Sequence, residues 1–301
     1  MRLAMVGLGR MGGNMAARLL RGGHEVVAYN RADGPRRAAV ALGAEDAVSL
    51  DEVAAKLSTP RIAWVMMPAG EVTTTFISEL LARFSPGDII IDGGNNYYKD
   101  TLRHAELVQS HGMSFLDVGT SGGIWGLTEG YSLMVGGEAS VVEQVRPILE
   151  TLAPSPSSGW GHVGPHGAGH FVKMVHNGIE YGMMQAMGEG FALMQGKAEF
   201  QLDLHQIAEI WREGSVVRSW LLDLTARVLQ DNPTLAGIAP YVAESGEGRW
   251  TVLEAIEQKV SLPVITLALE NRFRSQDPSP FSDKLLASMR NQFGGHVIKT
   301  E

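Results

Sequence analysis

At 301 residues the chain is long enough for about two domains with substantial cores, and its 45% hydrophobic and 19% charged content excludes a disordered, solvated polymer. A formal net charge of −8 gives no overall attraction to nucleic-acid phosphates or anionic membranes, so neither is an expected partner. The absence of cysteine excludes disulfides, thiolate nucleophiles and Cys-ligated zinc; with no signal peptide and no run of about 18 apolar residues, a soluble cytoplasmic protein is expected.

The first half alternates short apolar runs with amphipathic stretches. Candidate strands lie at 2–8, 25–30, 61–68, 88–94, 114–120 and 131–137, and candidate helices at 11–21, 76–84, 100–111 and 141–152. The last helix opens with Ser140 and Glu143 at capping-box spacing. This alternation predicts right-handed crossovers and a mostly parallel, doubly wound α/β sheet of the Rossmann type. A stretch rich in Pro, Ser and Gly at 154–161 breaks the pattern, with room for one last strand at 159–165. Beyond 169 only helical periodicity continues, at 171–194, 204–229 with a soft point at Gly214, 251–257, 264–273 and 281–293. The expected division is an N-terminal Rossmann-type domain over 1–165 and a smaller all-helical domain over 166–301, the latter ending in a tail.

Gly7, Gly9 and Gly12 form G-x-G-x-x-G between the first strand and the first helix. In that setting one glycine turns the chain, one lets backbone approach a pyrophosphate and one lets helix and strand pack, while the helix N-terminus supplies positive potential. A nicotinamide dinucleotide is the ligand this predicts. An acid at the end of the second strand favours NAD by holding the ribose 2′-hydroxyl and repelling a 2′-phosphate. Here that position is Asn30, followed by Arg31 with Arg36 and Arg37 close behind, so NADP is expected over NAD, unless the arginines belong to an ordinary solvated loop.

Lys173, His176, Asn177, Glu180 and Tyr181 recur at i, i+3, i+4, i+7 and i+8, the spacing of one helix face. Their neighbours Phe171, Val172, Met174, Val175 and Ile179 are apolar, so the helix is expected to be packed over much of its surface with its polar stripe facing a cleft. Met183, Met184, Met187 and Met194 read as core filler. Burial lowers a lysine's pKa and raises a glutamate's, which suits such residues to proton transfer, although a structural ion pair has the same signature. The segments 92–96 (DGGNN) and 120–126 (TSGGIWG) end strands where sheets of this class bind ligands, or are plain turns. The nine histidines form no metal-binding pattern and no nucleophile elbow surrounds Ser121, so no metal is expected.

Taken in order, GLGRMGGNMAARL, VMMPAG, DGGN, SGG, GAGHFVKMVHNGIEY, GRWT and a terminal FGGH resemble the decarboxylating 6-phosphogluconate dehydrogenases, in a short form lacking a second helical half. The resemblance implies oxidative decarboxylation of 6-phosphogluconate to ribulose 5-phosphate and CO2 with reduction of NAD or NADP, in the pentose phosphate pathway. A sister activity on an unphosphorylated β-hydroxy acid such as 3-hydroxyisobutyrate, and a nicotinamide-binding module without catalysis, are the alternatives. It implies Lys173 as the base and Glu180 as the acid. Substrate contacts are implied for Asn95, Ser121, Gly122, Gly123, His176, Asn177, Tyr181 and Arg274, with Arg272 two residues away as the other candidate. Gly7, Leu8, Gly9, Arg10, Met11, Gly12, Asn30, Arg31, Met67, Pro68 and Asn95 fall on the cofactor side. Arg290 and His296 match tail residues that complete a neighbouring subunit's site, so a homodimer or larger homo-oligomer is expected. Where the long enzymes carry a lysine and a threonine before GKWT, this chain has Ser245 and Glu247 before GRWT.

Overall fold

A computed structural model describes residues 1–300. The chain forms two compact units, residues 1–176 and 177–301. The first is built on eight strands: β1 Arg2–Val6, β2 Glu25–Tyr29, β3 Glu45–Ala47, β4 Ile62–Val65, β5 Ile89–Asp92, β6 Ser114–Ser121, β7 Ser132–Gly137 and β8 Trp160–Gly164. Their order across the sheet is β3-β2-β1-β4-β5-β6-β7-β8. All neighbours are parallel except β6 and β7. The order reverses between β1 and β4, which places a crevice at the carboxyl ends of those two strands, the place where such sheets take ligands.

Helices cover both faces, as a parallel sheet requires. On one side α1 (Arg10–Arg21) and α7 (Ala139–Leu152) bury Met15, Leu19, Val145 and Leu149 against Leu3, Met5 and Trp64. On the other, α3 (Leu50–Lys56), α4 (Glu71–Leu81) and α5 (Tyr98–Ser110) bury Val53, Phe76, Leu80 and Val108 against Val6, Val65 and Ile90. Each such side chain contributes roughly 1.5–3 kcal/mol relative to exposure. Between β2 and β3 lies α2, Asp33–Ala41, and a short α6, Gly126–Glu129, lies between β6 and β7.

The long helix α8, Ala168–Gly196, starts in the first unit and continues into the second. Its opening turns pack on the sheet: the Asp117 carboxylate accepts from the backbone N–H groups of Gly167 and His170 at 2.8 and 2.9 Å. The first compact unit accordingly runs on to His176, past the start of the helix.

The second unit adds α9 Leu204–Arg212, α10 Trp220–Asp231, α11 Glu247–Gln258, α12 Pro263–Gln276 and α13 Phe281–Gly294. The helix expected over 204–229 is two helices, because Gly214 takes φ +72° and Ser219 caps α10 by accepting from the Leu222 N–H. The cores here are small: Ala208, Leu222, Ala226 and Leu229 with Met187, Phe191 and Trp211, and Tyr181, Ala268 and Leu269 with Val252. Nor is α8 covered as expected. Val172, Ile179, Met183 and Met184 are exposed within the single chain, so the last two are not core filler. No helix among the described residues is long and apolar enough to cross a membrane.

Candidate active site

The three glycines of the first loop have separable jobs. Gly7 turns the chain at φ +101°, and a Cβ there would lie 2.5 Å from the Met66 carbonyl oxygen. Gly12 lets α1 close on β1, since its Cβ would lie 2.0 Å from the Gly7 oxygen. A Cβ on Gly9 would meet nothing within 4 Å. Gly9 therefore faces open space at the N-terminus of α1, whose first turn carries no acidic residue and no side-chain cap. Backbone N–H groups left without intrahelical partners there suit a pyrophosphate. Arg10 opens the helix, Met11 packs against the core and Leu8 is buried. The Leu8 N–H donates to Asn30 Oδ1 at 3.1 Å, tying the glycine loop to the end of β2. Arg31 follows, its guanidinium 4.8 Å from the Phe76 ring centre.

The loops after β4 and β5 are locked together. Asn96, 2% exposed, accepts from the Gly70 N–H at 3.1 Å and donates Nδ2 to both Asp92 oxygens at 3.0 and 2.9 Å. Thr73 donates its hydroxyl to the Pro68 carbonyl at 2.8 Å, and Met67 packs against the core beside it. Burial pushes the Asp92 carboxyl up from its ordinary value, opposed by the nearby His170 and His104. Burial likewise pushes His104 down. The sequence marks the segment 92–96 as a candidate ligand loop without giving Asp92 or Asn96 a role; the structure shows these two locking the loops together.

Asn95, at φ +51°, turns its carboxamide onto β6: Nδ2 donates to the Thr120 oxygen and Oδ1 accepts from the Thr120 N–H, both at 2.8 Å. One residue earlier, Gly119 leaves room for Lys173, whose Cβ would lie 2.4 Å from a Cβ at that glycine. Lys173 is 5% exposed, with Nζ 3.4 Å from His176 Nδ1. Ser121, Gly122 and Gly123 continue from Thr120, the glycines at φ +132° and +52°. The first unit thus gathers Asn95, Lys173, His176 and the 121–123 loop around the end of β6.

The second unit holds the other group. A cavity of about 320 Å³ is lined by Asn177, Glu180, Tyr181, Glu244, Ser245 and Arg272, with Met184 and Ala243 completing it. Tyr181 is 5% exposed, its oxygen accepting from the Ser245 N–H at 3.2 Å. Gly248 makes the space for its ring, since a Cβ there would lie 2.3 Å from the ring edge. Arg272 stacks on the ring, its guanidinium 3.5 Å from the ring centre and donating to the Ala243 carbonyl at 2.8 Å. Arg274 points elsewhere and pairs with Asp283, so Arg272 is the arginine at this cavity. The helix explains it: Arg272 lies three and four residues after the buried Leu269 and Ala268, on their face, and Arg274 does not. Glu247 lies buried in the first turn of α11, while Arg290 and His296 are exposed on α13 and the tail.

Profiles of two known domains match the chain: the NAD binding domain of 6-phosphogluconate dehydrogenase over residues 2–163 and the C-terminal domain of the same enzyme over 169–296. The chain belongs to the 6-phosphogluconate dehydrogenase family. A Haloferax volcanii protein named as an NAD(+)-dependent, decarboxylating 6-phosphogluconate dehydrogenase is 40% identical over 299 residues, covering 99% of this chain and 98% of its own. The solved Plasmodium falciparum 6-phosphogluconate dehydrogenase, described with NADP+ and with 6-phosphogluconate, aligns at a TM-score of 0.84 and 30% identity over all of this chain and 66% of that longer one. A Mycobacterium tuberculosis 3-hydroxyisobutyrate dehydrogenase aligns at 0.74 and 25% identity, over 92% of this chain and 94% of its own. In this chain Ser245 bonds Tyr181 through its backbone N–H.

Proposed function

We propose that the protein oxidises and decarboxylates 6-phosphogluconate, yielding ribulose 5-phosphate, CO2 and a reduced nicotinamide cofactor. The observation that carries this reading is Lys173, a buried amine set against Gly119, next to the Thr120 backbone that fixes Asn95. The Gly7–Gly12 loop, Asn30, Arg31, Met67, Pro68 and Asn95 hold the cofactor, which accepts hydride from carbon 3 when bound. Lys173 takes the 3-hydroxyl proton as hydride leaves. The resulting 3-keto acid loses CO2, and Glu180 protonates carbon 1 of the enediol. Both groups ride on α8, seven residues and about 10 Å of helix rise apart.

The 121–123 loop takes the substrate carboxylate, His176 and Asn177 its hydroxyls, and Tyr181 with Arg272 its phosphate. No carboxylate stands at Asn30 and Arg31 follows it, which favours NADP. In α13 no residue is buried, and Phe281, Phe293 and Val297 are 76, 93 and 95% exposed, which suits a tail docked on a second subunit of a cytoplasmic homo-oligomer. The test is a spectrophotometric assay with each cofactor, recording reduced cofactor and released CO2 together, with 3-hydroxyisobutyrate in parallel. One CO2 per reduced cofactor with 6-phosphogluconate is expected. Turnover of 3-hydroxyisobutyrate alone, without CO2, overturns the reading.

A further inference from the structure

The loop after β2 holds a charge cluster that the proposed reaction does not use. Asn30 is committed to the loop itself, accepting from Leu8 and donating Nδ2 to the Ala32 oxygen at 3.2 Å. The acid of this segment comes three residues later: Asp33, in the first turn of α2, with its side chain 62% exposed. A ribose is read at the end of the second strand in folds of this class, three residues before Asp33, so an unpaired carboxylate here would oppose a 2′-phosphate. It is not unpaired. Arg36, 8% exposed, brings Nη2 to Asp33 Oδ1 at 2.9 Å, Nε to Asp46 Oδ1 at 2.9 Å and Nη1 to the Asn30 carbonyl at 3.1 Å. One guanidinium thus joins the end of β2, the start of α2 and β3, and masks two carboxylates. Arg37 adds a looser contact, 3.8 Å from Asp33 Oδ2 and itself 82% exposed. Arg31 meanwhile is held over Phe76 and is not spent on either acid.

We infer that Arg36 is a positioning residue that sets cofactor preference by masking Asp33, and that Asp33 is the residue through which the choice between a 2′-phosphate and a 2′-hydroxyl is exerted. Pairing leaves Arg31, held over Phe76, as the cation of the loop that no acid compensates, whereas loss of Arg36 releases a carboxylate in the same segment. This deepens the proposed function, and rests on the glycine loop and the end of β2 being the adenosine end of the cofactor pocket.

The experiment titrates the full chain calorimetrically with 2′,5′-ADP and 5′-AMP, the adenosine ends of NADP and NAD, so that no turnover is needed. The readout is the ratio of the two affinities in the native chain, Asp33→Asn, Arg36→Gln and the double variant. Arg36→Gln is expected to lower the preference for 2′,5′-ADP about tenfold, the scale of a partly exposed like-charge contact. Asp33→Asn alone changes the ratio less than about threefold, and in the double variant the ratio returns to near the native value. If Arg36→Gln weakens both fragments equally and Asp33→Asn restores nothing, Arg36 is only a strut and the inference is overturned. Should Arg36→Gln fail to fold, Asp33→Lys at the exposed position decides: about a tenfold rise in the ratio supports the inference, and no change overturns it. A native chain that binds neither fragment overturns the pocket assignment itself, an outcome distinct from an unaltered ratio.

Discussion

A buried amine loses hydration that only well-placed partners replace, and Lys173 holds its position because Gly119 has no side chain where its own stem must pass. If Lys173 is the base and Glu180 the acid, Lys173→Met and Glu180→Gln each lower turnover by about 100-fold or more, the usual scale for a lost proton-transfer group. Cofactor binding, followed by fluorescence titration, stays intact in both. Near-native turnover in the two variants would remove the assignment. The neighbouring arginines separate in the same way: Arg272→Met, which empties the stack on Tyr181, raises KM for 6-phosphogluconate at least tenfold with little change in KM for cofactor, while Arg274→Ala, which breaks only an exposed pair with Asp283, changes it by about twofold or less. Equal effects from both would place the phosphate elsewhere. Tyr131 offers a residue-scale test of stability. It is fully buried, its hydroxyl has no hydrogen-bond partner among the described residues, and burial pushes its pKa up to about 12. The folded state thus favours the neutral phenol. Stability from this group is intact below the ordinary value near 10 and is lost as pH rises from there towards 12, because the unfolded chain ionises first. Tyr131→Phe flattens that alkaline loss, and at pH 7 leaves stability unchanged or up to about 1 kcal/mol higher. Thermal melts across the alkaline range report it, and an undiminished alkaline loss in the variant would rule Tyr131 out as its source.

Elements differ in how much of themselves they write into the sequence. The strands β1, β2, β4, β5 and β6 are buried runs of four to eight residues, and a run of that kind flanked by glycine or proline is legible by inspection. β3 is only Glu45–Ala47, two acids and an alanine, and its place is set by pairing with β2 rather than by any alternation of its own. The helices α2 and α3 on either side of it are, like it, not legible by inspection. Helix starts mislead for another reason: Ser140 and Glu143 have capping-box spacing, but α7 begins at Ala139 with Glu138 extended before it, so the motif lies inside the helix. Similarly, Gly246 at φ +96° starts α11 four residues before its apolar pattern begins. In the candidate site, the motif residues were readable because glycines and polar residues at helical spacing violate ordinary core patterning; the Asn96 latch and the Arg272 stack depend on which loops meet, which one-dimensional spacing does not encode. The glycine loop makes the distinction measurable. Gly9→Ala adds a Cβ into open space at φ −62°, so the chain folds and melts as before but loses cofactor affinity by about tenfold or more. Gly12→Ala drives a Cβ to 2.0 Å from the Gly7 oxygen, so it lowers the melting temperature as well. Indistinguishable melts for the two variants would mean that the third glycine is not a packing requirement.

At the scale of the whole molecule, the second unit leaves apolar surface that a single chain does not cover. Its two small cores enclose few large side chains, while Leu193, Ile256, Leu267 and Phe293 are 80, 69, 59 and 93% exposed. Apolar surface on this scale marks an interaction site, and on the proposed reading a second copy related by a two-fold axis would cover it with one patch used twice. On the proposed reading the tail adds a functional element. An exposed terminal segment frays unless it docks, yet Arg290 and His296 are poor contributors to a core and good contributors to a phosphate site, the guanidinium binding two oxygens at once and keeping its charge at any working pH. If they act on the neighbouring subunit, Arg290→Ala weakens 6-phosphogluconate binding and leaves cofactor binding nearly unchanged. Subunit mixing gives the sharper result. Lys173→Met chains lack the base but keep the tail, and chains truncated after residue 280 keep Lys173 but lack the tail, so each homo-oligomer is inactive. A hybrid contains one site with an intact Lys173 and a tail donated by the other chain. After exchange under mild denaturant, activity should reappear in proportion to the hybrid fraction, measured by native mass spectrometry. Hybrids that form and remain inactive would show that the tail serves its own subunit or no site at all.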